Sequence, residues 1–157
     1  MKRRMHVFVG LLIIILAVLL CWFNRVAWFG FDIYRVESTS MLPTLHPNTI
    51  VVVNLRAYRE QYPQMDDIVI LKSPIAANEK LIKRVTHLPG QSLSFIKQET
   101  QMDEETRTPV VIRRKVTLEN IEGYFVQGDN TQHSTDSRYF GPVDLQLICG
   151  KVVVSVL

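Results

Sequence analysis

Apolar residues follow two different patterns along this chain, and the change falls near Phe31. Before it, "VFVGLLIIILAVLLCWF" (Val7 to Phe23) is charge-free over about seventeen residues, which as a helix spans about 25 Å. After it, apolar residues come in short β-branched runs broken by turn residues, the pattern of strands. Seven runs stand out: "TIVVVNL" (Thr49 to Leu55), "DIVILKS" (Asp67 to Ser73), "KLIKRVTHL" (Lys80 to Leu88), "SLSFIK" (Ser92 to Lys97), "PVVIRRKVTL" (Pro109 to Leu118), "GYFVQGD" (Gly123 to Asp129) and "GKVVVSVL" (Gly150 to Leu157). Turn signals separate them, among them Pro89-Gly90, Glu122-Gly123 and Asp129-Asn130. Such a chain builds sheets, not bundles. "AYREQYPQ" (Ala57 to Gln64) has room for a helical turn before Pro63, and the polar span Lys97 to Pro109 reads as an exposed hairpin end or loop.

The first run points to a membrane. Its length approaches the roughly 30 Å hydrocarbon thickness of a bilayer, and Trp22 and Trp28 suit the interface. Lys2, Arg3 and Arg4 before the run, against Arg25 after it, predict a cytoplasmic N-terminus and an external body. A cleavable signal peptide would show a small-x-small site where this chain has the bulky "NRVAWFGF". The expected division is residues 1–29 as cytoplasmic N-terminus and transmembrane anchor, and 30–157 as one extracytoplasmic β-rich domain.

Charge and cysteine content narrow the partners. A formal charge of +3 and a pI near 9.0 are mildly basic, but the cations are scattered, with no aromatic-interleaved stripe for nucleic acid. Cys21 and Cys149 lie far apart in the pattern, so neither a bridge nor a CxxC metal site is expected.

Candidate chemistry sits in three segments. "VESTSMLPTLHP" (Val36 to Pro47) offers Ser38, Thr39 and Ser40, and a serine hydroxyl attacks a carbonyl only when a neighbouring base takes its proton. Of the four histidines, His6 lies at the far edge of the anchor, His46 is stiffened between Pro43 and Pro47, and His87 and His133 sit in turn-bounded segments where a structural role is the default. The other base that pairs with serine is a neutral lysine. In "KLIKRV", alternation puts Leu81, Lys83 and Val85 on one face and Ile82 and Arg84 on the other. A lysine on an apolar face either snorkels or is desolvated and neutral. Neutrality at pH 7 requires a shift of about 3 to 4 units from about 10.4, or roughly 5 kcal/mol. The third segment, "GDNTQHSTDSRYFG" (Gly128 to Gly141), is dense in short polar side chains, which by itself indicates turns.

Taken together and in order behind an apolar N-terminal run, "SMLPTL", "IKRV" with "LPG", and "GDN" with "STDSRYFG" resemble the type I signal peptidases, bacterial membrane-bound serine endopeptidases. The resemblance implies Ser40 as nucleophile, Lys83 as general base, and Ser38 with the Ser40 N–H as oxyanion hole. It implies Ser134 as the group orienting the lysine amine, and Asp136 and Arg138 as an ion-paired cluster that also supplies the carboxylate for Arg84. Gly128 and Asp129 match turn residues at the floor of that region. On this reading Ser38 and Ser40 share a face by strand alternation, Thr39 points away, and Met41 meets lipid or substrate. Met41, Pro43, Ile82 and Val85 are the groove candidates. Glu37, His87, Gln91 and "TQH" after Asn130 depart from the family pattern and bear on substrate preference and pH profile more than on activity.

The expected fold is mostly β, an antiparallel sheet or barrel-like catalytic domain behind one transmembrane helix. The expected activity is removal of signal peptides from exported preproteins at the outer face of the bacterial cytoplasmic membrane, by a monomer with no cofactor, metal or nucleic acid. A dedicated Ser-Lys peptidase for a secretion, pilus or conjugation substrate is the enzymatic alternative. A membrane-anchored β module without catalysis is the alternative from another class.

Overall fold

The computed structural model describes residues 2–23, 30–104 and 107–156, with side chains of the first helix described from 8 to 22. That helix, α1, spans Lys2–Phe23. Among the described residues no helix is long and apolar enough to cross a membrane. The side chains of Lys2 to Arg4 and of His6, and all of Arg25 and Trp28, lie outside the described residues.

Eight strands follow: β1 (Phe31–Arg35), β2 (Ile50–Asn54), β3 (Ile68–Lys72), β4 (Lys80–His87), β5 (Leu93–Met102), β6 (Pro109–Leu118), β7 (Phe125–Gln127) and β8 (Ile148–Val156). A one-turn helix, α2 (Ser137–Phe140), and a 3-10 turn at Leu145–Leu147 fall between β7 and β8. Six strands form one antiparallel sheet in the order β1-β2-β8-β3-β4-β7, and β5 and β6 form a separate ribbon. With β1 and β7 at its edges the sheet stays open, so the barrel-like alternative does not hold.

The runs without polar alternation are explained by a core on each side of the sheet. On β3, Val69 and Leu71 join Val85, Tyr124, Val126, Val143 and Ile148 in one cluster. Ile70 joins Val36, Met41, Leu45, Val51 and Val53 in the other. Each fully buried side chain of this kind stabilises the fold by about 1.5–3 kcal/mol. A third cluster, Leu93, Ile121 and Phe125, roots the ribbon, with the Phe95 ring 5.4 Å from that of Phe125.

Three expectations need correction. β1 is absent from the seven runs because its apolar Phe31 and Ile33 face outward while Asp32 and Tyr34 are half-buried, so no buried apolar face marks it. Of the two readings of Lys97 to Pro109, the exposed hairpin end holds and the loop does not: β5 continues to Met102, because its backbone ladder with β6 runs unbroken from Leu93–Leu118 to Met102–Pro109 whatever the side chains. Residues 57–64 form turns and bends without a helix.

Candidate active site

The approach to Ser40 is built by the end of a β ladder. Val36 exchanges backbone bonds with Thr49 and Asn48, after which the chain leaves the sheet and winds through turns from Ser40 to Leu45, closed by Leu45 N–H donating to Met41 O at 2.9 Å. Ser38 and Ser40 still meet, with their hydroxyls 3.0 Å apart, but through a bend rather than strand alternation. The prolines at 43 and 47, which lack an N–H, explain why no ladder continues there. Met41 is 1 % exposed within the core, which overturns its expected contact with lipid; it closes the bottom of the groove beside Ser40.

Lys83 sits in the middle of β4, opposite Val69 of β3, and therefore on the face shared with Val85. Its amine is hydrogen-bonded to Ser40 Oγ at 2.8 Å, and both residues are buried. Burial pushes the Lys83 pKa down; Asp136 and Glu79 oppose the shift and Arg138 adds to it. Among the described residues the amine meets no carboxylate within ion-pairing distance, so the desolvation is left largely uncompensated.

The segment after β7 is pressed against the Ser40 backbone. Asn130 N–H donates to Ser40 O at 2.9 Å, and Asn130 Nδ2 donates to Thr39 O at 3.1 Å. A Cβ on Gly128 would lie 2.5 Å from Ser40 O and 2.7 Å from Ser134 Cβ, so only glycine allows this approach. Gly128 N–H donates to Asp136 Oδ2 at 3.0 Å, and Val126 N–H to the buried Ser137 Oγ at 2.9 Å, which fixes α2 against β7.

Arg84 finds its carboxylate in Asp129, not in Asp136: Nε and Nη2 bond the two carboxylate oxygens at 2.9 and 2.7 Å, with Thr44 also in reach of Nη2. Asp136 pairs separately with Arg138, through Nε at 2.9 Å and Nη2 at 2.8 Å. The expected single cluster is thus two pairs, because Arg84 points to the face of β4 opposite Lys83. Burial pushes both carboxyls up, but hydrogen bonds outweigh it, chiefly from Arg84 to Asp129 and from Arg138 to Asp136, and both lie below the usual range. Ser134 is buried beside Gly128. Its hydroxyl is near enough to favour the charged form of Asp136, yet it makes no well-formed hydrogen bond, including the one expected with Lys83.

A groove of about 590 Å³ opens at the Ser40–Lys83 pair, lined by Tyr34, Val36, Met41, Leu81 and Ile82 and rimmed by Glu37, Glu79, Lys80 and His133. Of the four groove candidates, Met41 and Ile82 line it; Pro43 is exposed elsewhere and Val85 is wholly buried in the core. Because β7 pairs only Arg84 to His87, the backbone of residues 80–83 has no strand partner on that side of β4 among the described residues, an edge on which an extended peptide could add as a strand. His87 packs edge-on against Phe125, and Gln91 Oε1 accepts from Leu88 N–H, so both departures lie at the β4–β5 turn and outside the groove. The sequence pattern assigns no role to two residues of the site: Tyr34, whose hydroxyl accepts from Lys80 Nζ at 2.9 Å across the groove, and Asn130 of the "GDN" motif, which donates to Thr39 O and Ser40 O.

The Peptidase_S26 model, described as signal peptidase, peptidase S26, matches residues 6–157. The chain is 40% identical over 127 residues, 80% of its own length and 69% of the other's, to mitochondrial ATP-independent inner membrane protease subunit 1b of Arabidopsis thaliana. Signal peptidase I V of Bacillus subtilis is 29% identical over 172 residues, covering 97% of this chain and 98% of that one. Signal peptidase I of Bacillus caldolyticus is 30% identical over 155 residues, covering 86% and 84%.

Proposed function

The chain belongs to the S26 signal peptidases and is a serine endopeptidase, and from that premise we propose that Ser40 and Lys83 form its catalytic dyad. The observation that carries the reading is the 2.8 Å separation of the two groups inside a buried site. A neutral amine has a lone pair, so the same separation lets the hydroxyl donate to nitrogen as Oγ attacks the scissile carbonyl. The C–O bond forms, the carbonyl becomes an oxyanion, and the proton passes to Lys83. Ser38 Oγ and the Ser40 N–H are the proposed donors to that oxyanion. Lys83 returns its proton to the departing amine as the peptide C–N bond breaks, leaving an ester on Ser40. Water then gives a proton to Lys83 and attacks the ester, and the proton goes back to Ser40 Oγ. Ser134 is proposed to orient the amine once the Ser40 hydroxyl has turned to substrate.

The substrate class is an exported preprotein whose residues before the cut lie extended along β4, 80–83. The groove is closed at its bottom by Met41, which favours small side chains next to the cut. Residues 1–29 are proposed to hold the enzyme in the membrane, with 30–157 as the catalytic body on the outer face of a bacterial cytoplasmic membrane; the run Val7 to Phe23 supports this. Detergent-solubilised protein incubated with a preprotein should yield a product whose new N-terminus follows a small residue. The Ser40→Ala and Lys83→Ala variants should remain folded and yield none; turnover by either one removes the assignment.

A further inference from the structure

A second groove of about 580 Å³ lies between the β5–β6 ribbon and the segment 127–139. It meets the first at His133, which lines both. One wall is Phe95, Ile96, Lys97, Gln98 and Arg113 of the ribbon; the other includes Gln127 and Arg138. Among the described residues no carboxylate lines it. Lys97 is paired with Glu99 at 3.0 Å, and Arg138 is held by Asp136, so the uncompensated charge belongs to Arg113. Arg113 is exposed, stands opposite Gln98 in the ribbon register, and makes no ion pair among the described residues.

We infer that this second groove receives the segment of substrate that follows the scissile bond, and that Arg113 makes the enzyme prefer acidic residues there. The inference rests on the dyad reading above. Groove one, with its apolar lining and the free edge of β4, takes the residues before the bond. A chain passing Ser40 then continues past His133 into groove two. An aspartate or glutamate there meets an unpartnered guanidinium, which binds a carboxylate through two parallel N–H donors. A lysine in the same place meets like charge. Thr131, Gln132 and His133 line groove two beside Arg138, on the path from Ser40.

The test uses full-length enzyme in detergent and preproteins identical up to the cut, with one Asp, Asn or Lys walked through the positions that follow it. The expected result is kcat/KM higher for Asp than for Lys at one or two adjacent positions, by roughly three- to tenfold, carried by KM and shrinking as salt is raised. Arg113→Gln should flatten that ratio and Arg113→Glu should reverse it; as ratios within one variant, they are insensitive to the amount folded. A wild-type ratio near one at every position overturns the inference while leaving the dyad intact. An equal ratio in wild type and Arg113→Glu overturns it as well, as does an Arg113 effect that appears only with anionic vesicles and is blind to substrate charge. Failure of the dyad reading looks different, because Ser40→Ala would then cleave the whole panel.

Discussion

Replacing Gly128 with alanine places one methyl group where the segment after β7 meets Ser40, the proposed nucleophile. The new Cβ would lie 2.5 Å from the Ser40 carbonyl oxygen and 2.7 Å from Ser134 Cβ, against 3.4 Å for ordinary contact. A main-chain oxygen cannot swing away as a side chain does, so the two backbones must separate by nearly 1 Å. That stretches the 2.9 Å bond from Asn130 N–H to Ser40 O and draws Ser40 from Lys83. Overpacking of this sort costs about 1–3 kcal/mol of stability. A misplacement of about 1 Å at a reacting atom costs on the order of 10²-fold in rate. Gly128→Ala should therefore lower the midpoint of thermal unfolding by several degrees, about 2–4 °C for each kcal/mol. At a temperature where it is fully folded, its kcat/KM should fall about a hundredfold, mostly in kcat. The assay is initial-rate cleavage of a preprotein alongside a circular-dichroism melt. A variant with wild-type stability and wild-type turnover would refute the argument, because the loop would then not be pressed on Ser40.

Other outcomes follow from the same geometry. Ser38→Ala should lose about 2.7–4 kcal/mol of transition-state stabilisation, read as kcat falling by about 10²–10³ with little change in KM. Lys83→Met should abolish cleavage yet stabilise the fold. A buried amine with lowered pKa binds fewer protons folded than unfolded, so its contribution to stability rises with pH until the unfolded value of about 10.4. The advantage of Lys83→Met in denaturant melts should thus be clear at neutral pH and vanish above about pH 10. Asp129 and Asp136 have the opposite sign. Their folded pKa values are depressed, so their stabilisation is complete above the unfolded value of about 3.9 and is lost as pH falls through the lower folded values. Asp129→Asn should remove part of this acid-side loss and cost about 1 kcal/mol at pH 7, since the Arg84 pair is partly exposed.

Part of the body could be read from the chain because β3 is buried on both faces, which makes it a nearly continuous apolar run; β8 is as apolar in sequence, although its Val153, Val154 and Val156 are exposed. What could not be read has local causes. β1 turns Phe31 and Ile33 outward, so its pattern is inverted. Beyond Lys97 the ribbon extends its ladder through Gln98 to Gln101, polar residues that carry no strand signal. Within the site, parity on β4 placed Lys83 correctly on the face of Val85, because that strand is regular through residue 85. The same rule brought Ser38 to Ser40 for the wrong reason, since the chain has left the sheet by then. Asp129 and Asp136 lie close in sequence, and which of them meets Arg84 is set by tertiary packing: Asp129 takes Arg84, while Asp136 accepts from Gly128 N–H and pairs with Arg138. Arg113 offered no signal, being one cation in a basic strand until the ribbon folds over the 127–139 segment.

The proposed chemistry depends on the protonation of one amine, and titrating it by NMR with isotope-labelled lysine in the full-length enzyme tests it most directly. One lysine resonance, missing in Lys83→Met, should titrate well below the ordinary value of about 10.4, and its midpoint should match the acid limb of kcat/KM. A Lys83 that titrates with the exposed lysines, or whose midpoint bears no relation to the rate profile, would contradict the proposed chemistry.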